Sequence, residues 1–370
     1  MRHYRVHGAA RLPPGQCRVP AFINAIGTAI PAQDIHQPFI AWARQRLGDP
    51  RARALFDRMA ARAGIDHRWS VLAPTDGGGS PVSPGGFYAA SALPPTSARM
   101  TIYAEAAPVL ALDAVAALEG ELDGITHLVV ASCTGFVAPG IDQIVADRLG
   151  LGGHVERLLV GFMGCYAAVA ALRSARHIVR SDPAARVLVI TVELSTLHLQ
   201  DVSEIEPLLA ALQFGDGAAA ALVTAEPAGL AMDAPFALTL PDSAGLIRWA
   251  IGDQGFAMHL SGEVPGRIAE ALAEAPVRRA LIGETPVAAI DGWAVHAGGR
   301  SILDAVEHGL GLGPAALDAS RSVLRENGNM SSATLMFVLA RLMRGAPPAH
   351  GLALAFGPGL AAEGFRFSAA

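Results

Sequence analysis

Three residues of this 370-residue chain stand where their side chains could do chemistry. Cys165, in GFMGCYAAVAALR, lies between Gly164 and an alanine-rich helical run. A thiol in the first turn of a helix faces unpaired backbone N–H groups and the positive end of the dipole, which favour a thiolate. The same place also suits a small buried apolar residue. His296, in DGWAVHAGG, ends an apolar strand and is followed by Gly298 and Gly299, where backbone can approach a ligand closely. Asn329, in ENGNMSSATLMFVL, precedes Ser331, Ser332 and an apolar helix, a setting in which asparagine often serves only as a cap. Taken singly, each has an ordinary structural role. Taken together, a Cys, a His and an Asn on separate strand-end loops can converge on one point in a layered α/β fold, with the cysteine as nucleophile.

The rest of the chain bounds what those residues could serve. With 52% hydrophobic and 16% charged residues, it can bury one large core or two fused ones. A net charge of -5 and basic runs no longer than two residues argue against a nucleic-acid surface. No stretch approaches eighteen apolar residues, so stable membrane insertion is not expected. The N-terminal MRHYRVHGAARLPPGQ lacks the apolar core of a signal peptide, which points to the cytoplasm. Cys17, Cys133 and Cys165 are an odd set in a long chain and suit reduced thiols, with Cys17 and Cys133 read as structural.

Positioning elements follow from periodicity. A helical pattern over 38–63 breaks at Asp49-Pro50 into two helices. Glycine, proline and serine crowd residues 72–97, which read as a long loop, and a helix follows from Ala98 to Glu119. Strands at 125–132, 157–162 and 185–194 then alternate with helices at 143–149 and from Cys165 to Arg180. That alternation predicts an α/β layered sheet. A strand at 217–225 closes a first half, 1–225, and a second half, 226–370, has strands at 291–297 and, last, 351–356.

Five segments carry a resemblance: GFMGCYAAVAALR, LQFGDGAAAALV, WAVHAGG, ENGNMSSATLMFVL and ALAFGPGL, in that order over residues 161–360. They resemble the successive signatures of type III polyketide synthases, the chalcone and stilbene synthase family, with weaker similarity back to about residue 20. The resemblance implies a thiolase-like five-layered αβαβα fold built of two similar halves, and a homodimer. It implies acyl-CoA and malonyl-CoA as substrates, with no metal or other cofactor. Cys165 would carry the acyl starter as a thiolate paired with imidazolium His296. His296 and Asn329 would hold the enolate formed when malonyl-CoA loses CO2.

Further positions come from the same resemblance. Phe214 and Met258 match the two gate positions between the CoA tunnel and the acyl cavity. Cys133, Thr134, Ala138, Ser195 and His198 match positions lining that cavity, and Gly357, Pro358 and Gly359 match the loop of the cyclisation cavity. Arg58 and Arg62, one helical turn apart, match CoA-phosphate contacts, with Leu55 in place of a further cation. Gly298 and Gly299 would admit the pantetheine arm, and Arg300 stands where plant members have proline. Small Thr134 and Ala138, soft Met258 and the bulk of His198 favour a long-chain fatty acyl starter and an alkylresorcinol, alkylresorcylic acid or alkylpyrone product. Two other readings are a chalcone-synthase-like enzyme with an aromatic or short starter and a β-ketoacyl-carrier-protein synthase of the initiating type. A papain-like protease would place its cysteine near the mature N-terminus, and a thiol sensor would need Cys133 as resolving partner.

Overall fold

A computed structural model describes residues 19–89 and 92–370, so Cys17 lies outside the described residues. The first half opens with β1 (Phe22–Ala29) and β2 (Gln33–Asp34), then α1 (His36–Arg46) and α2 (Pro50–Ala61). Asp49 caps α2 by accepting the Arg51 and Ala52 N–H groups, and Pro50 takes the first helical position, which is why the pattern breaks there. After β3 (Trp69–Ser70) and a long irregular segment come α3 (Thr96–Ala116), β4 (His127–Ser132), α4 (Ile141–Arg148) and β5 (Glu156–Gly161). The half ends with α5 (Ala167–Ser181), β6 (Val187–Leu194), α6 (Ile205–Ala211) and β7 (Asp216–Thr224).

The second half begins with β8 (Leu230–Thr239), the hairpin β9 (Ile247–Gly252) and β10 (Gly255–Leu260), α7 (Val264–Ala273) and α8 (Ala275–Ile282). It continues through β11 (Gly292–Val295), α9 (Arg300–Leu310), α10 (Asp318–Asn327) and α11 (Ser332–Arg344). It closes with β12 (Gly351–Gly357) and β13 (Ala361–Ala369).

Nine strands run in the order β11-β12-β13-β8-β1-β7-β6-β4-β5. Pairing repeats between halves: β1 to β7 and β7 to β6 are antiparallel and β6 to β4 parallel, as are β8 to β13, β13 to β12 and β12 to β11 in turn. The second half lacks only a counterpart of β5. The two sheets meet where Phe22 and Ile23 pair with Ala231 and Leu230. Between them a buried cluster packs α5 against α11, while α3 covers the first sheet and α7 and α9 the second, giving the five layers. Each half therefore aims the start of its central helix toward the same region.

Two departures from the sequence reading have local causes. Strand β1 went unseen because FINAIGTA contains Gly27, which weakens a strand pattern. A Cβ there would lie 2.3 Å from the Ala114 carbonyl, so the glycine is what lets α3 sit on the strand. The strand at 351–356 is not the last; the GPG turn reverses the chain into β13, which pairs along all of β12.

Candidate active site

Cys165 does not begin the helix. It sits in the middle of a 3-10 turn, Gly164–Tyr166, and α5 starts at Ala167. Gly164 takes φ +74° with its Cα against Pro358, where a Cβ would stand 2.4 Å from the proline ring; a Cβ on Gly357 would in turn lie 2.6 Å from the Tyr166 ring. The GPG turn and the cysteine turn thus interlock through two glycines, which explains why both motifs need them. Cys133 secures the same turn, accepting the Gly164 N–H at 2.9 Å.

Asn329 and Ser331 open α11 opposite. Ser331 holds φ +47°, a strained conformation for a non-glycine residue, while its N–H donates to Asn329 Oδ1 at 2.9 Å. That bond orients the amide so that Nδ2 donates to the Gly298 carbonyl at 3.2 Å and also hydrogen-bonds the Cys165 sulfur. A parallel bridge ties Asn329 to Phe214, so the gate ring and the amide are fixed by one piece of backbone. His296 follows β11, its N–H donating to the Leu354 carbonyl at 2.8 Å, and both ring nitrogens lack any protein partner. An imidazole otherwise buried and left unpaired is a site waiting for a donor or acceptor.

Burial pushes the Cys165 thiol up to about 12, opposed by hydrogen bonds from Ser331 and Asn329, and pushes His296 down to about 3. Burial opposes the charged form of each, so the thiolate and imidazolium that the resemblance implies would have to form together. A proton passing from thiol to imidazole makes opposite charges in one low-dielectric cavity, and their attraction offsets the burial that each would suffer singly. Glu193, at the end of β6, is buried nearby, and burial raises it to about 7. It accepts from the Cys133 N–H at 3.0 Å, the Thr134 hydroxyl at 2.9 Å and the Ser332 hydroxyl.

Cys165, His296 and Asn329 line one cavity of about 710 Å³. Phe214, Met258, Thr134, Cys133, Ser195, Gly298, Gly357 and Pro358 also border it. Ala138, before a cis bond to Pro139, lines neither this cavity nor its neighbour, and Gly359 lies outside both. A second cavity of about 840 Å³ shares the wall formed by Ser195, Phe214, Trp249 and Met258. His198 stands in that second lining as a neutral, stacked plate. Its Nε2 donates to the Thr134 carbonyl at 2.7 Å, its Nδ1 accepts the Phe256 N–H at 3.0 Å, and its ring lies 4.1 Å from that of Phe256. Burial holds it down to about 4.

Trp249, Phe256 and Glu193 were not foreseen. Trp249 donates its indole N–H to the Cys133 carbonyl at 3.1 Å and fills space between the cavities. Only the hairpin, unread in the sequence, brings both aromatics here. Arg58 and Arg62 are exposed on and just after α2 and line neither cavity. Arg300 donates to the Arg62 carbonyl at 3.2 Å, placing the loop after Gly299 against that basic turn.

Known proteins match along nearly the whole chain. The chalcone and stilbene synthase N-terminal domain matches residues 15–227 and the C-terminal domain residues 233–369. The α-pyrone synthesis polyketide synthase-like Pks18 of Mycobacterium tuberculosis is 32% identical, covering 97% of this chain and 94% of its own length. Type III polyketide synthase 10 of rice, Oryza sativa, is 33% identical over 93% of this chain and 91% of its own. Among solved structures, PKS-I of the brown alga Ectocarpus siliculosus superposes with a TM-score of 0.85 at 28% identity, covering 96% and 100% of the two chains. The type III domain of Steely1 from Dictyostelium gives 0.85 at 25%, covering 95% and 99%. The chain belongs to the chalcone and stilbene synthase family: it is a type III polyketide synthase, a condensing acyltransferase acting on CoA thioesters without a cofactor.

Proposed function

We propose that this synthase loads a long-chain fatty acyl group from CoA onto Cys165, extends it two or three times with malonyl-CoA, and releases an α-pyrone. Alkylresorcinol and alkylresorcylic acid are the alternative ring closures of the same chain. The second cavity carries this reading. It adjoins the reaction cavity across a shared wall and is lined mostly by apolar side chains, as an acyl chain requires. The narrower support for a pyrone is the likeness to Pks18, whose name states that ring.

The chemistry follows from the groups present. Proton transfer to His296 frees the thiolate of Cys165, which attacks the starter carbonyl and expels CoA, protonated by the same imidazole. Malonyl-CoA then loses CO2; the enolate oxygen takes hydrogen bonds from His296 and from the Asn329 N–H that faces Cys165 and is released once the sulfur is acylated. The enolate carbon attacks the acyl thioester, and the sulfur of Cys165 leaves as thiolate. Arg58, Arg62 and Arg300 would meet CoA phosphates at the mouth.

His198 disfavours an aromatic starter, since its stacked ring occupies the wall against Phe256. The partner we propose for assembly is a second copy, through β5. That strand ends the sheet with exposed Leu158 and Leu159 and neighbouring exposed Phe136, an edge that single chains seldom leave uncovered. No described helix is long and apolar enough to cross a membrane, and we read the enzyme as cytoplasmic, with halves meeting at residues 225 and 226.

The test is turnover of palmitoyl-, hexanoyl- and coumaroyl-CoA with malonyl-CoA, products identified by mass spectrometry. Preference for palmitoyl-CoA with a pyrone product supports the reading. Preference for coumaroyl- or hexanoyl-CoA replaces the starter, and a requirement for malonyl-acyl carrier protein replaces the CoA chemistry.

A further inference from the structure

We infer that the inward-dipping stretch Ser80–Val82 of the glycine-rich segment is the end-stop of the acyl cavity and sets starter chain length. The inference rests on the fatty-starter reading above. Six of residues 74–86 are exposed: Pro74, Asp76, Gly77, Gly78, Pro84 and Gly85. Ser80 and Pro81 are nevertheless buried, and they line the second cavity together with Val82, Leu72 and Tyr88. An exposed loop that turns three residues inward against an apolar cavity must be held there, because it gives up water for that contact.

The holding contacts are all present. Thr75 accepts the Gly79 N–H at 2.8 Å, the Ser83 N–H bonds the Ser80 carbonyl at 2.9 Å, and the Tyr88 N–H bonds the Pro81 carbonyl at 2.8 Å. Gly86 packs directly on this turn, where a Cβ would lie 2.5 Å from the Pro81 oxygen. The Tyr88 hydroxyl donates to the Thr196 carbonyl at 2.8 Å, anchoring the segment to the residue beside Ser195 in the shared wall. The stop is thus fixed relative to the reaction cavity, as a length gauge must be. Of the three residues, Val82 is the only one that can be enlarged or trimmed without removing a proline or a hydroxyl that the turn uses.

The experiment measures kcat/KM for hexanoyl-, decanoyl-, palmitoyl- and stearoyl-CoA in wild type, Val82→Phe, Val82→Ala and Pro84→Ala, with thermal melts as a folding check. A ring at position 82 should cut the palmitoyl-to-hexanoyl ratio at least tenfold, mainly through KM. Val82→Ala should move the optimum toward stearoyl-CoA, and Pro84→Ala, exposed and outside the lining, should keep the wild-type ratio. If wild type uses palmitoyl-CoA but neither Val82 variant moves the ratio, the end-stop is wrong and the fatty starter stands. If wild type uses no long starter, both are overturned.

Discussion

Two adjoining cavities are built from different material. Around Cys165 the polar groups are tied to backbone: Asn329 to Gly298, Ser331 and the Phe214 strand bridge, Cys133 to Gly164, Glu193 to Cys133 and two hydroxyls. His296 alone is unpaired, which leaves it free for substrate. The second cavity, which we propose takes the acyl tail, is walled by side chains from α1, α6, the hairpin and the glycine-rich segment, with few polar atoms facing it. A reaction that develops charge needs fixed donors, whereas an acyl tail needs only volume of the right length. The first cavity should therefore be intolerant of change and the second adjustable.

Four predictions probe that contrast. The largest effect belongs to Cys165→Ala, which should abolish acyl loading and product formation while leaving decarboxylation of malonyl-CoA measurable. Next, Asn329→Ala should slow malonyl-CoA decarboxylation by roughly 10²–10³-fold, the usual loss of one preorganised oxyanion donor. His296→Gln tests the paired titration. With the imidazole present, iodoacetamide should alkylate Cys165 at neutral pH; without it, the thiol stays at the high value set by burial, and the alkylation profile should move up by several pH units. An unmoved profile would mean that helix α5 and the Ser331 and Asn329 hydrogen bonds suffice.

The smallest effect is on stability. Glu193 is held near 7 when folded and titrates near 4.5 when unfolded, so the native state keeps a proton that the unfolded chain has lost. Its contribution is full below about pH 4.5 and disappears as pH rises through 7. Glu193→Gln should flatten stability against pH over that window, by roughly 3 kcal/mol at most between its ends, measured by urea unfolding. An unchanged slope would place the titration elsewhere.

Much of the reaction cavity was legible because its residues sit at element ends marked by glycine: Gly164 before Cys165, Gly298 after His296, Gly328 before Asn329. The helix start was misplaced by two residues because a 3-10 turn reads like helix in sequence. The second cavity was legible only in part: Phe214, Met258, Ser195 and His198 were named from sequence and border it. Val82, Trp249 and Phe256 meet only through tertiary packing across more than 150 residues, and the hairpin that delivers two of them was not read. Ala138, placed on the cavity and dimer wall by resemblance, borders neither cavity of its own chain. Small side chains indicate where space is available without indicating which element will border it.

The central claim is that Cys165 carries a fatty acyl chain. Intact-protein mass measurement after incubation with palmitoyl-CoA, in wild type and Cys165→Ala, tests it most directly. The account predicts one palmitoyl adduct on wild type, cleared by added malonyl-CoA, and none on the variant. An adduct on both proteins, or on neither while coumaroyl- or acetyl-CoA labels wild type, would contradict it.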